Sequence, residues 1–233
     1  VSFAEAVYLL LEGELPTPAI GRLMDAMLVA LVDHGTSPPS TIAARNVATA
    51  GAPLRVSVAA GVLGFGTYHG GDIEGCVQLL EHGVGVVRGG TSYDAAAQRL
   101  VEGYVGRHEA VPGFGHRIHT HDPRAARLFQ MALELDVDGA HLKMLRALER
   151  ALNATRPEGQ PLPINVDGAI AAVCADMGLA ASVGHALFII SRVPGLIAQA
   201  REEQERERPM RQIDSTAAIY DGPRERRLPG TRK

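Results

Sequence analysis

The sequence predicts an all-α fold, and three observations predict it. Apolar residues recur with a period near 3.6 through almost the whole 233-residue chain, the spacing of helices with one buried stripe. Hairpin punctuation between alternating apolar and polar runs is missing. Aromatic residues make up 4% with no Trp, too few for the core of a sandwich or barrel. With 46% hydrophobic and 21% charged residues the composition is that of a folded globular chain rather than a disordered one.

Taken in order, the elements begin with an amphipathic stretch that carries Glu5 in its first turns and stops at Gly13, where a left-handed residue is wanted. The clearest helix starts at Thr17, whose hydroxyl accepts from free amides, with Pro18 at the first helical position, where a missing N–H costs nothing. Its core stripe is Ile20, Leu23, Met24, Met27, Leu28 and Leu31. The same device recurs as Ser37 before Pro38, as Asp122 before Pro123, and more weakly near Pro194. Gly51, Gly83 and Gly178 read as further helix stops. The segment from Ala50 to Gly66 carries one charge, Arg55, among Ala, Val and Gly, and reads as a helix buried on every side at the centre of the fold. Two stretches break the rhythm, Val111 to Thr120 and Pro161 to Gly168, and ordered loops in a helical body are where chemistry tends to sit. About ten helices, most of about ten to seventeen residues, fit the chain. From Arg201 the composition turns to Arg, Glu and Pro, which suggests an exposed tail or an arm laid on a partner. The expected division is a helical domain over 1–208 and a C-terminal arm or tail over 209–233.

Composition also excludes function classes. The net charge of -3 supplies no basic field, so nucleic acid is not an expected partner. No uninterrupted apolar run reaches about eighteen residues, so no membrane span is expected. The chain opens at Val1 in an amphipathic pattern with no charged n-region, which reads as a trimmed start or a leader outside the sequence rather than a secretory signal. Cys76 and Cys174 lie in apolar surroundings and read as small buried hydrophobes, which points to a reducing, cytoplasmic setting.

Among nine histidines, His116, His119 and His121 precede Asp122 as a metal run would, but Pro123 and Arg124 follow where another His is needed, and Asp122 serves better as a helix cap. No metal site is expected. Gly61, Gly64 and Gly66 have no strand before them and no Lys-Ser/Thr after them, so close helix packing explains them better than a phosphate loop. No G-x-S-x-G elbow occurs. What remains is a spread set of polar residues at loops and helix ends: Asp33-His34, Tyr68-His69-Gly70-Gly71, Val111-Pro-Gly-Phe-Gly-His116, Asp122-Pro-Arg124, Asn165-Val-Asp167-Gly168, Ser191-Arg192 and Glu207-Arg208-Pro209.

In order and spacing these segments resemble the citrate synthase superfamily, together with Phe3 to Thr17 (FAEAVYLLLEGELPT) and Ser40-Thr-Ile-Ala-Ala-Arg45. The resemblance covers nearly all of the chain. It implies a compact multi-helical large domain with a reduced small domain, because only about one helix fits between the GELPT helix and Asp33-His34 where full-length synthases carry a long helical insertion. In that respect the chain looks like the compact branch that includes citryl-CoA lyases and the C-terminal module of ATP-citrate lyases. Unlike the latter module, it retains the HGG histidine, His69.

The resemblance implies a carbon–carbon bond enzyme that interconverts acetyl-CoA plus oxaloacetate and citryl-CoA or citrate through an enolate. Asp167 is implied as the carboxylate base beside the thioester methyl, His69 as donor to the enolate oxygen, and His116 as the group polarising the ketone. His34, Arg124, Arg192 and Arg208 are implied contacts for the oxo acid, whose two carboxylates suit guanidinium forks. The turn Pro112, Gly113, Phe114, Gly115 is implied to lie beside the CoA adenine. CoA or acetyl-CoA is then a substrate, with no tightly bound cofactor, and the family role of Arg208 implies a homodimer in which it reaches the neighbouring site. Synthase-type condensation is the first reading and citryl-CoA cleavage the second. A metal-dependent hydrolase and a non-catalytic CoA-binding subunit are the readings from other classes.

Overall fold

A computed structural model describes residues 1–66, 69–70, 72–115, 120–157 and 159–211. Among these residues ten helices follow one another: α1 (Phe3–Glu12), α2 (Pro18–Leu31), α3 (Pro39–Thr49), α4 (Leu54–Leu63), α5 (Asp72–Arg88), α6 (Tyr93–Gly106), α7 (Pro123–Glu134), α8 (Ala140–Ala154), α9 (Val166–Asp176) and α10 (Ala181–Arg206). Among the described residues there is no strand, only isolated bridges such as Phe114 to Ile164. The all-α expectation holds.

Local chemistry sets many of the ends. Thr17 accepts from the Ile20 amide at 3.3 Å and Pro18 opens α2, as its sequence predicts. Gly13 closes α1 at φ +83°, with its amide on the Leu9 carbonyl. Gly51 and Gly178 also take positive φ just beyond α3 and α9. α2 buries Leu23, Met24, Met27, Leu28 and Leu31, its expected stripe, with Ile20 at the edge.

The centre of the core is α9. Its residues from Gly168 to Cys174 are buried, and α5, α7, α8 and α10 pack around it. Cys76 and Cys174 are both buried and neither is in a disulfide, and burial pushes the Cys174 thiol up to about 12.

Four sequence expectations give way here. The Ala50 to Gly66 segment is not the buried centre: α4 spans only Leu54–Leu63, buries Ser57 and Gly61 against α3 and α10, and leaves Val56 and Leu63 45% and 84% exposed. A helix of mostly Ala, Val, Leu and Gly with a single charge, Arg55, suits any apolar contact surface, inside the chain or outside it. Gly83 does not stop a helix; it lies inside α5, where a Cβ would stand 2.9 Å from Met144 Sδ of α8. Ser37 is not the cap of α3, which opens at Pro39 behind Pro38 with no side-chain cap. Pro194 starts nothing, since α10 runs through it.

At 26 residues α10 has the length and apolar character to cross a membrane. It instead packs against α2, α3, α4, α5 and α9 and buries Ser191, Arg192 and Glu203, the polar pattern of a core helix. Helix packing accounts for Gly61, where a Cβ would meet Leu196 Cδ1 at 2.9 Å and Ala44 Cβ at 3.1 Å, and for Gly64, where it would stand 3.0 Å from the Ser40 Cα, but not for Gly66, which has nothing within 4 Å. Of the expected arm, only residues 209–211 lie among those described.

Candidate active site

The first turn of α9 is the anchor of the site. Asn165 caps it, accepting from the Gly168 amide at 2.9 Å, and its Nδ2 donates to the Gly115 carbonyl at 3.2 Å. The Asn165 amide donates to the Gly113 carbonyl at 3.1 Å, and the Gly115 amide to Pro163 at 2.8 Å. The Pro112 to Gly115 loop is thereby stitched to the segment that enters α9. Gly113, at φ +85°, tolerates no side chain: a Cβ would stand 2.6 Å from Cys76 Sγ and 2.8 Å from the Gly168 Cα. Asp167 lies half-buried in this turn, where the positive end of the helix favours a carboxylate.

Asp122 ties an arginine to the same helix end. Its buried carboxylate accepts the Arg124 amide at 3.0 Å, capping α7, and receives Arg124 Nε at 3.0 Å and Nη2 at 2.8 Å. The same group accepts the Val166 amide at 3.1 Å. One carboxylate therefore fixes the Arg124 fork relative to the residue beside Asp167. Arg124 Nη1 comes within 3.5 Å of His34 Nδ1.

Arg192 enters from α10 and is only 2% exposed. Its Nε donates to the Leu31 carbonyl at 2.8 Å, its guanidinium lies 4.9 Å above the Phe188 ring, and its Nη1 has no hydrogen-bond partner among the described residues. Burial pushes its pKa below the usual value, Asp33 and Asp167 oppose that, and the like charge of Arg124 adds to it. A guanidinium nevertheless stays ionised, so Nη1 is a buried charged donor of the kind that suits an anion.

His69 leaves α4 through a turn in which Gly66 and His69 exchange backbone hydrogen bonds of 3.0 and 2.9 Å. Its Nε2 is 2.7 Å from the Oγ of Ser40, a buried residue at the start of α3. The rings of Phe65 and Phe188 each stand 5.6 Å from the His69 ring. Phe188 thus lies between His69 and Arg192 and joins them into one wall.

Of the residues singled out in the sequence, Asp167, Arg124, Arg192 and His34 converge, His69 joins them through Phe188, and the Pro112 to Gly115 loop lies against the helix that carries Asp167. Arg208 does not join them within this chain. It is exposed, and its carbonyl accepts from Thr49 Oγ1 at 3.5 Å, at the end of α3 opposite Ser40. His116 and His119 lie outside the described residues. Asp122, the carboxylate of the metal reading, is committed to Arg124 and Val166. Sequence reasoning quoted Ser40 only as part of the Ser40 to Arg45 segment and gave neither it nor Phe188 a role; their contacts with His69 cross 29 positions and a helix–helix interface.

The family model for the citrate synthase C-terminal domain matches residues 1–212. The chain belongs to the citrate synthase family. Citrate synthase 2 of Bacillus subtilis (strain 168) is 28% identical over 222 residues, 94% of this chain and 56% of its own length. The chain spans about half the length of the curated relatives it matches. A structure of citryl-CoA lyase from Hydrogenobacter thermophilus is 42% identical with a TM-score of 0.86, covering 98% of this family member and 87% of the lyase chain. An ATP citrate lyase from Methanosaeta concilii, in complex with (3S)-citryl-CoA, shares the fold at 19% identity and a TM-score of 0.80, over 96% of this chain and 38% of its own.

Proposed function

We propose that this chain is a carbon–carbon bond enzyme of the citryl-CoA lyase type, cleaving citryl-CoA to acetyl-CoA and oxaloacetate. The observation that carries the reading is the buried Nη1 of Arg192, unpaired among the described residues, at a site shared with Arg124, His34 and Asp167. Two guanidinium forks suit the carboxylates of the citryl group, and a carboxyl group beside them suits a proton transfer at carbon. The lyase direction is favoured over condensation because the chain spans 87% of a citryl-CoA lyase at 42% identity, against 56% of a citrate synthase at 28%.

In this reading His116 takes the proton of the citryl hydroxyl. The oxygen's electrons form the ketone of oxaloacetate, and the carbon–carbon bond breaks toward the thioester. Its electron pair gives the enolate of acetyl-CoA, whose oxygen His69 stabilises by hydrogen bonding. Asp167, the acid in this direction, delivers a proton to the methylene carbon of the enolate and so gives acetyl-CoA. Condensation is the same path reversed, with Asp167 as base, and a synthase adds hydrolysis of the thioester. CoA enters as part of the substrate, its adenine against the Pro112 to Gly115 loop, where positive-φ Gly113 and Gly115 let backbone groups approach.

The working unit in this proposal is a homodimer. Ile42 of α3 and Val56 and Leu63 of α4 are exposed apolar side chains on two helices that pack together, and Arg208 is held at the Thr49 end of α3. A second copy docked there would receive Arg208.

Two assays on the purified protein test the reaction. Citryl-CoA cleavage is followed by trapping oxaloacetate through reduction, and thiol release is followed with acetyl-CoA and oxaloacetate. Rapid cleavage with little net thiol release is expected, with cleavage lowered about a hundredfold or more in Asp167→Asn. Thiol release that matches or exceeds cleavage would make the protein a synthase, and undiminished cleavage in Asp167→Asn would remove Asp167 from the site.

A further inference from the structure

α10 presents His185, Phe188 and Arg192 at spacings of three and four, one stripe on one helix face. Phe188 and Arg192 belong to the site described above. His185 has no part in the proposed chemistry, yet its Nδ1 lies 2.8 Å from the carbonyl oxygen of Gly70, the residue that follows His69. A carbonyl only accepts, so Nδ1 carries the proton and donates. Gly70 has φ +84°, and a Cβ there would stand 2.7 Å from Phe188 Cδ1. The residue after His69 is therefore held by one stripe from two directions, its carbonyl on His185 and its α-carbon against Phe188.

Such a hold is needed because glycine has more conformational freedom than any other residue, and Gly70 is followed by Gly71. On its N-terminal side His69 is held by the backbone pair with Gly66, and its ring by Ser40. The bond to His185 is the corresponding hold on the C-terminal side.

We propose that His185 is a positioning residue that fixes the orientation of His69 by gripping the Gly70 carbonyl. This rests on the reading of His69 as the group that stabilises the enolate. The amide nitrogen of an asparagine sits as many bonds from Cα as Nδ1 does, so Asn at 185 keeps the donor; Leu fills much of the volume and has none.

The test compares His185→Asn and His185→Leu in the full chain, by citryl-CoA cleavage and by histidine-ring NMR without substrate, with His69→Gln assigning the His69 signals. In His185→Leu, kcat falls about ten- to a hundredfold while KM changes less than about twofold, and the His69 ring signals move. His185→Asn restores both the signals and kcat to within about threefold. His69 signals unmoved in His185→Leu would overturn the proposal, as would a loss in His185→Asn equal to that in His185→Leu. Should the leucine variant not fold, His185→Gln, whose amide sits one bond too far, replaces it with the same outcomes. If the wild-type protein does not cleave citryl-CoA, the NMR comparison still decides the positioning role, and the failure belongs to the proposed function.

Discussion

Asp122 serves as cap, clamp and anchor at once, and substitution separates those roles. Asparagine keeps one oxygen for the α7 cap but sets an NH2 where Oδ2 receives Arg124 Nη2 and the Val166 amide, so donor faces donor. We expect Asp122→Asn to cost about 2 kcal/mol in urea melts and Asp122→Ala, which also loses the cap, about 3 kcal/mol. Both variants should raise KM for citryl-CoA about tenfold, because Arg124 loses its orientation. An unchanged KM beside the stability loss would show that the clamp serves only the fold. Arg192→Lys should likewise raise KM about tenfold in steady-state assays, since one ammonium cannot hold the Leu31 carbonyl and also present Nη1 to a ligand. A KM unmoved by lysine would mean that Arg192 binds as a charge alone. Asp167, Arg124, Arg192 and His69 were legible in the sequence because each sits in a short ordered motif. The contacts of His185 and Ser40 were not, because a hydrogen bond spanning 115 or 29 positions leaves no periodic trace.

The N-terminus of α8 has no side-chain cap of its own, since Gly139 stands there. Asp176, the last residue of α9, supplies one from across the interface: its carboxylate accepts the Gly139, His141 and Leu142 amides at 2.9, 2.9 and 3.0 Å, and lies 2.8 Å from His141 Nδ1. Burial pushes its pKa up, but the hydrogen bonds and the charge of His141 outweigh burial and hold it below the ordinary value. A carboxyl group whose folded pKa is depressed stabilises the fold above its unfolded pKa of about 4, and that contribution disappears as pH falls through the lower folded value. Asp176→Asn should therefore be less stable than wild type by about 2 kcal/mol at pH near 7, with the gap closing below pH of about 4. Urea melts at both pH values measure this; a gap that stays constant with pH would place the loss in packing instead. Element ends set by adjacent residues, such as Thr17 with Pro18 and Asp122 with Pro123, could be read from the sequence. The position of α4 could not, because its exposed Val56 and Leu63 look the same in sequence as buried ones. Nor could the passage of α10 through Pro194, where packing on five helices overrides a local breaker.

For the whole molecule, the question is where Arg208 acts. Glu203 is buried at the end of α10 and is gripped by Arg45 Nη2 at 2.7 Å and by Arg211 Nε at 2.8 Å. The amides of Met210 and Arg211 bond the Thr49 carbonyl and hydroxyl, each at 2.9 Å. The chain leaving α10 is thus clasped to α3, which holds Arg208 away from the Asp167 site of its own chain, at the Thr49 end of α3. If Arg208 serves the neighbouring subunit, two inactive variants should complement each other. In a mixed dimer of Asp167→Asn and Arg208→Ala chains, one site pairs an intact Asp167 with an intact Arg208 and the other lacks both. Random pairing makes half of the dimers mixed, so co-expressed and co-purified chains should recover about a quarter of the wild-type sites. If Arg208 acted within its own chain, every site in the mixture would lack one group and activity would stay at the level of the separate variants. Leu63→Glu in α4 should abolish the recovery together with the dimer, a loss that light scattering of the same samples reads directly.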